Sequence, residues 1–241
     1  MEKILHRADK RGRGDHGWLS TRYSFSFADW FEPARMGFGA LRVLNDDTIA
    51  PASGFPMHGH RDMEIITIVT HGTLTHKDSL GNTGTVNAGE VQVMSAGAGI
   101  VHSEYNASPS EPLALFQIWI QTGKVGSAPR YDQKSFKALR AEDGVVPLVG
   151  PLGGTCPLGI RQDAFIARAI INAEHPCEYR LHKEGNGVYV FVIDGAAEVA
   201  GERLRARDAL GISGTDTVDV AAEAHADVLI IEVPLELRGE D

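Results

Sequence analysis

The sequence has little cysteine: Cys156 and Cys177 are its two cysteines in 241 residues, and they form no CxxC pattern. Such a chain lacks both a disulfide framework and a cysteine-rich zinc site, and it fits a reducing compartment. Long hydrophobic runs are also missing, because no apolar stretch approaches the roughly 18 residues of a membrane-spanning helix. The first residues lack the apolar run of a signal peptide. We therefore expect a soluble, cytoplasmic protein.

Positive charge is scarce as well. The 23 Lys and Arg residues are outnumbered by 32 Asp and Glu residues, which gives a formal net charge of −9. An acidic surface suits phosphate backbones poorly, so we expect no direct nucleic-acid binding, and nothing predicts a membrane partner. Hydrophobic residues make up 43% of the chain and charged residues 23%, a balance that excludes wholesale disorder.

Glycine and proline are plentiful, with 27 and 11 residues spread along the chain, which favours many turns over long helices. Short apolar and β-branched runs lie between these turn residues. They predict strands at Met36–Leu44, Glu64–Thr70, Val91–Met94, Leu113–Ile120, Ala164–Ile171, Val188–Ile193 and Ala226–Val233. Asp194-Gly195 is predicted to be a hairpin turn, and only Arg130–Arg140 and Ala28–Met36 have a helical pattern. The chain is therefore predicted to be mostly β, built of antiparallel sandwiches or barrels.

The two halves of the chain are faintly alike. A strand followed by Gly72, a second strand and a turn before Glu90 has a looser counterpart around Gly195 and Asp208. The economical interpretation is two copies of one antiparallel β-barrel domain, packed together with few short helices. We expect an N-terminal domain over residues 1–122, an interdomain crossing with a short helix over 123–155, and a C-terminal domain of the same kind over 156–241.

Ten histidines are present, and two short patterns among them stand out: His58-Gly59-His60 and His102-Ser103-Glu104. Residues two apart on a strand point to the same face, so each pair can direct two donors into one interior. Three imidazoles and a carboxylate suit a divalent first-row metal ion such as iron, manganese, nickel, cobalt, copper or zinc. Glu64 is a rival carboxylate, because it follows His60 closely and strand parity alone does not exclude it.

The second half is predicted to lack a metal site. Shifting the first pair by the offset of the repeat places it at Leu181 and Lys183, or at Arg180 and His182 after a slip of one residue. The second pair follows Glu90, whose counterpart Asp208 lies 118 residues further along the chain, and this smaller offset places it at Val220 and Ala222. None of these sets rebuilds a ligand cluster. We expect the C-terminal domain to be a structural partner that covers the first.

Several long blocks resemble the pirin family of the cupin superfamily, in particular its bacterial members described as quercetin 2,3-dioxygenases. The matching segments lie between His16 and Thr122 and are HGWLSTRYSFSFADWF, MGFGALRVLNDD, HGHRDMEIIT, HKDSLGNTG, AGEVQVMSAGAGIVHSEYN and QIWI. The resemblance implies one metal ion, most commonly Fe(II), held by His58, His60, His102 and Glu104. It therefore favours Glu104 over Glu64. It also implies a bicupin, with two antiparallel β-barrel (jelly-roll) domains and a C-terminal cupin-like domain without a metal site. Gly59 departs from the proline of many relatives and leaves the approach to the site less rigid.

The resemblance also implies ring-opening dioxygenation of a flavonol such as quercetin by O2, with release of carbon monoxide. In such a site Glu104 is both a ligand and the proton acceptor for a substrate hydroxyl group. The alternative is an iron-binding, redox-responsive regulatory protein that acts through protein partners. The acidic balance makes a protein partner more plausible than DNA for that role.

Overall fold

The structure, a computed structural model, describes residues 1–136 and 138–236, and within them it is almost entirely β. In chain order, the strands up to residue 121 are β1 (Glu2–His6), β2 (Gly12–Asp15), β3 (Leu19–Tyr23), β4 (Leu41–Ile49), β5 (Gly54–His60), β6 (Met63–His71), β7 (Thr73–Asp78), β8 (Thr83–Asn87), β9 (Glu90–Ser95), β10 (Ile100–Asn106) and β11 (Leu113–Gln121). The strands that follow are β12 (Arg130–Ser135), β13 (Val145–Pro151), β14 (Leu158–Ile160), β15 (Phe165–Ile171), β16 (Cys177–Arg180), β17 (Asn186–Val199), β18 (Glu202–Arg205), β19 (Ala209–Ser213), β20 (Thr217–Ala221) and β21 (Ala226–Pro234). The described helices are single 3-10 turns at Ala8–Lys10 and Ala141–Asp143. None of the described helices is long and apolar enough to cross a membrane.

Each half is a jelly-roll sandwich of two sheets. The first half has a large sheet in the order β12-β9-β6-β11-β4-β3-β2 and a small one in the order β5-β10-β7-β8. The second half repeats this plan with β1-β19-β17-β21-β15-β13-β14 opposite a sheet in which β16 pairs with β20, and β20 and β18 pair with the end of β17. The pairs are antiparallel except for β13 and β14. The sheets form open sandwiches rather than closed barrels, and the predicted mostly β bicupin fold is confirmed.

The two large sheets pack back to back. Their shared core takes Ile66, Ile68 and Phe116 from the first half and Phe191 and Leu229 from the second. Side chains alternate along a strand, so β6 turns Ile66 and Ile68 toward the other half and Ile65 and Thr67 toward its own small sheet. This double burial explains why β6 is apolar on both faces.

Three expectations about local structure were wrong. Asp194-Gly195 is not a hairpin turn, because β17 runs through it with a shift of register between Val192 and Asp194. Gly195 has φ 76° there, and the bulge bends the strand from the large sheet into the small one. Arg130–Ser135 is strand β12 rather than helix, because it completes the hydrogen bonds of edge strand β9. Residues 28–36 contain turns and an isolated bridge instead of a helix.

The division at residues 1–122, 123–155 and 156–241 stays a prediction, and strand pairing crosses it in three places. Strand β1 joins the second half through β19. The crossing segment contributes β12 to the first half and β13 to the second. It also contains the 3-10 turn at Ala141–Asp143, which lies beyond the segment predicted to be helical.

Candidate metal centre and cavity

Three histidines meet inside the first sandwich, on its small sheet. His58 and His60 lie on β5, and His102 lies opposite His58 on the neighbouring strand β10. Their ring centroids are separated by 4.5 Å (His58 and His102), 4.7 Å (His58 and His60) and 4.9 Å (His60 and His102). One nitrogen of each ring lies within 4.8 Å of the others. The two sequence patterns thus converge because their strands are hydrogen-bonded neighbours.

The protonation state of these rings favours metal binding. His58 Nδ1 lies 2.8 Å from the carbonyl oxygen of Pro56 and must donate to it, which leaves Nε2 with a lone pair. Burial, reinforced by the neighbouring His58, lowers the pKa of His60 to about 4. Burial also lowers the pKa of His102 to about 3, with His58 and His60 adding to the effect. Neutral imidazoles are the form that binds a metal ion.

His102 carries the clearest sign of a missing partner. Its side chain is buried, and neither ring nitrogen has a hydrogen-bond partner among residues 1–136 and 138–236. Leaving a buried polar group unpaired is unfavourable, by roughly 1–3 kcal/mol. A ring that is neutral, buried and unpaired beside two other imidazoles fits a divalent metal ion.

Glu104 lies beside this cluster in a cradle of amides. Gln92 Nε2 donates to its Oε1 at 2.6 Å, and Gln117 Nε2 donates to its Oε2 at 3.0 Å. Thr67 Oγ1 is 3.3 Å from Oε1. Burial raises the pKa of Glu104 to about 7, although the hydrogen bonds from Gln92, Thr67 and Gln117 oppose the rise. The carboxyl group therefore changes its protonation state near neutral pH.

His76 is a potential donor that the sequence patterns did not reveal. It groups with His102 and Glu104, with ligand atoms within 4.8 Å, whereas the first group consists of His58, His60 and His102. His76 Nε2 is 3.1 Å from Asp78 Oδ2, and its ring stacks on Tyr131. The structure therefore places His102 at the junction of two donor groups, one with the histidine pair and one with Glu104.

Glu64 does not face the cluster. It lies on β6 next to Ile65, on the opposite face from Thr67, which contacts Glu104. Its carboxylate is held by Ser95 Oγ and Thr122 Oγ1. Glu64 thus lies on the face of β6 that points away from the interior of the first sandwich, a placement that strand parity alone left open.

A cavity of about 160 Å³ opens beside the histidines. Its walls are largely apolar and aromatic, with Phe27, Phe55 and Trp119 among them, and Trp119 meets the ring of His60 edge-on at 4.9 Å. Polar residues from the large sheet complete the lining: Thr21, Asn45, Asp47 and Gln117. The sequence did carry a signal for the residues around Glu104, since Thr67, Gln92 and Gln117 each lie between two apolar residues of a strand.

Two packed jelly rolls of largely antiparallel strands, with a histidine cluster inside the first, define a metalloprotein of the cupin class. The comparisons agree: the family described as Pirin matches residues 5–120, and the quercetinase C-terminal cupin domain matches residues 148–233. The chain belongs to the pirin family. It is 45% identical to a pirin-like protein of Caulobacter vibrioides, over 93% of this chain and 96% of that protein.

Two comparisons with Escherichia coli extend this likeness. The chain is 39% identical to the quercetin 2,3-dioxygenase of strain K12, over 95% of this chain and 98% of that protein. The structure matches that of the bacterial pirin YhhW in complex with nickel(II) with a TM-score of 0.91 and 38% identity. That match covers 97% of this chain and 99% of the other. The likeness therefore includes both halves.

Proposed function

We propose that this protein is a metal-dependent dioxygenase that cleaves a flavonol such as quercetin with O2. The observation that carries the proposal is the cluster of the partly buried His58 and His60 with the buried His102, beside an aromatic cavity. The name of the Escherichia coli relative, quercetin 2,3-dioxygenase, supports the substrate class and the enzymatic role over the regulatory alternative.

The proposed ligands of one divalent ion are His58, His60, His102 and Glu104. The three imidazoles already converge, and Glu104 is adjacent to His102. We propose Fe(II) as the native ion; nickel, manganese, cobalt, copper and zinc suit the same donors, and the Escherichia coli pirin was solved with nickel(II). A bound divalent ion supplies Lewis acidity, which lowers the pKa of a substrate hydroxyl group.

Glu104 is proposed to accept the proton of that hydroxyl group. A general base works best when its pKa is near the working pH, and burial raises the pKa of Glu104 to about 7. Gln92 and Gln117 each donate to one of its oxygens and so fix the plane of the carboxylate. The cradle orients the base toward the cavity that both Gln117 and Glu104 line.

The aromatic wall is proposed to hold the flat rings of the substrate and to exclude bulk water. Phe27, Phe55 and Trp119 supply apolar surface beside His58 and His60, and such surfaces provide most of the contact area in small-molecule sites. In this proposal the N-terminal domain carries the reaction, and the C-terminal domain covers its large sheet. We also propose a cytoplasmic location, supported by the two free cysteines.

The test begins with metal-free protein reconstituted anaerobically with each ion. Quercetin is added, air is admitted, and flavonol absorbance and oxygen consumption are followed together. We expect absorbance loss only in loaded protein, fastest with Fe(II), with one ion per chain by elemental analysis. Loss of quercetin at the same rate without metal, or no loss with any ion, would contradict the proposed function.

A further inference from the structure

Three polar residues on the cavity wall have no role in the chemistry described above. Thr21 lies on β3, and Asn45 and Asp47 lie on β4, where Thr21 pairs with Asp47. All three line the cavity and are more than nine-tenths buried, with relative exposures of 1%, 4% and 3%. They form a patch on the large sheet, which we call the β3–β4 patch.

One side-chain oxygen of each residue in this patch lacks a hydrogen-bond partner in good geometry among the described residues. Thr21 Oγ1, Asn45 Oδ1 and Asp47 Oδ1 have no hydrogen-bond partner in the described part of the chain. Buried polar atoms nearly always have a hydrogen-bond partner. A buried polar atom without one on the wall of a cavity indicates a group that binds a ligand. A buried carboxyl group is the most costly member of such a set.

The fold does not require these polar residues. In the second half, the strand pair β13 and β15 occupies the place of β3 and β4. Register identifies the counterparts of Thr21, Asn45 and Asp47 as Val145, Ala167 and Ala169. The same sandwich is therefore built with apolar residues at all three positions.

The patch is connected to the proposed reaction site by position. Asn45 is the cross-strand partner of Gln117, which donates to Glu104. Asp47 lies two residues further along β4, on the order of 7 Å by the rise of a strand. The cavity that this patch lines is also lined by His58 and His60, so one flat molecule in the cavity can contact both the patch and the histidine end.

We propose that Thr21, Asn45 and Asp47 form a subsite that recognises the ring hydroxyl groups of a polyphenol, distant from the hydroxyl group that reacts. This inference rests on the proposed function and specifies its substrate class. The amide oxygen of Asn45 accepts from a phenol, and the hydroxyl group of Thr21 accepts or donates. Burial raises the pKa of Asp47 to about 7, although its contact with the Thr21 hydroxyl group opposes the rise, and both of its protonation states are then available to a phenol at neutral pH.

The test measures binding without turnover. Metal-loaded protein is titrated anaerobically with quercetin and with 3-hydroxyflavone, which lacks the additional ring hydroxyl groups. The variants Thr21→Val, Asn45→Ala and Asp47→Ala install the residues of the second half. We expect wild type to bind quercetin about 10–100-fold more tightly than 3-hydroxyflavone, as one or two hydrogen bonds to polar or charged groups would give.

In the variants we expect the preference for quercetin over 3-hydroxyflavone to fall below about threefold, because quercetin binds more weakly and 3-hydroxyflavone binds as before. Asp46→Ala is the matched control, because Asp46 points to the other face and binds Arg11 and Arg207. It is expected to lower thermal stability and leave the ratio unchanged. The Asp47→Ala protein is expected to melt no lower than wild type, since an unpaired buried carboxyl group does not stabilise the fold.

Three results would overturn the subsite. Wild type shows no preference for quercetin, the variants bind both ligands more weakly by the same factor, or all three variants keep the wild-type ratio of affinities. Equal weakening would show a general packing role, and an unchanged ratio would show that ordered water satisfies the patch. Failure of the proposed function is a separate result. Wild type that consumes no oxygen but retains the anaerobic preference would contradict the dioxygenase and support the subsite.

Discussion

The two halves of the chain share a strand order but differ in what fills the space between their sheets. In the first half, one row across the large sheet places Gln117, Thr67 and Gln92 on adjacent strands. The corresponding row of the second half is Ile230, Val190 and Leu210. Both rows are buried. The first holds the carboxylate of Glu104, whereas the second is continuous apolar core.

The small sheets differ in the same way. In the first half His102 pairs with His58, and Ile100 pairs with His60. In the second half Val220 pairs with Cys177, and Val218 pairs with Tyr179. Cys177 and Tyr179 are thus the counterparts of the histidine pair, not Leu181 and Lys183 or Arg180 and His182, because the connections before these strands differ in length. A jelly roll therefore tolerates either a ligand cluster or a filled core.

The largest expected effect comes from His102→Ala, set against Val220→Ala at the matching position of the second half. We expect His102→Ala to reduce bound metal to background and kcat/KM by more than about 100-fold, beyond the range for residues that only orient ligands. Val220→Ala is expected to lower the free energy of unfolding by about 1–3 kcal/mol and leave metal content intact. Elemental analysis and denaturant unfolding measure the two effects. Equal metal loss in His102→Ala and His225→Ala, an exposed position, would place the site elsewhere.

Gln92→Leu converts the polar row to the residue found in the second half. It removes a hydrogen bond that stabilises charged Glu104, so the pKa of Glu104 should rise further above its ordinary value. We expect kcat/KM to fall about 10–100-fold and the acid limb of its pH profile to move to higher pH. The reverse change, Leu210→Gln, should instead destabilise the second half by burying an unpaired amide. A pH profile identical to wild type in Gln92→Leu would show that the cradle does not tune Glu104.

Two glycines sharpen the comparison, because they occupy matching bends. Gly72 and Gly195 have φ of 79° and 76°. A Cβ at either would press against a carbonyl oxygen, that of Pro112 or of His225. We expect Gly72→Ala and Gly195→Ala each to lower the free energy of unfolding by about 1–3 kcal/mol. Gly201→Ala is the control, since its φ is 80° but no atom crowds the added Cβ. If Gly201→Ala lowered the free energy of unfolding as much as the other two substitutions, the nearby carbonyl oxygens would have no effect of their own.

Glu64→Gln is expected to have the smallest effect on the reaction. Its carboxylate binds Ser95 and Thr122 and faces away from the histidines. We expect metal content to be unchanged and kcat/KM to fall by less than the roughly tenfold minimum for residues that orient a ligand. Unfolding should become easier by about 1 kcal/mol, from one weakened buried hydrogen bond. Loss of metal in this variant would restore Glu64 as a rival ligand.

Much of the fold was predictable because strand periodicity and turn residues are local properties. The strands around Glu64–Thr70, Leu113–Ile120 and Ala226–Val233 are present within a residue or so of the predicted ends. The errors fall where a tertiary contact overrides local pattern. Asp194-Gly195 has the composition of a turn, but pairing with β21 carries the strand through it. The segment from Arg130 becomes a strand because β9 offers a free edge.

The sequence by itself determined the donor types, since the spacing in His58-Gly59-His60 and His102-Ser103-Glu104 sets two side chains on one face of a strand. Only the tertiary structure decided which strands lie side by side, and therefore that His58 meets His102, that Glu64 faces the second half, and that His76 joins Glu104. The tertiary structure also decided that Thr67, Gln92 and Gln117 surround Glu104 and that Asp47 lies on the cavity wall. Alternation within a strand is set by the backbone, whereas contact between strands far apart in the chain depends on register and packing.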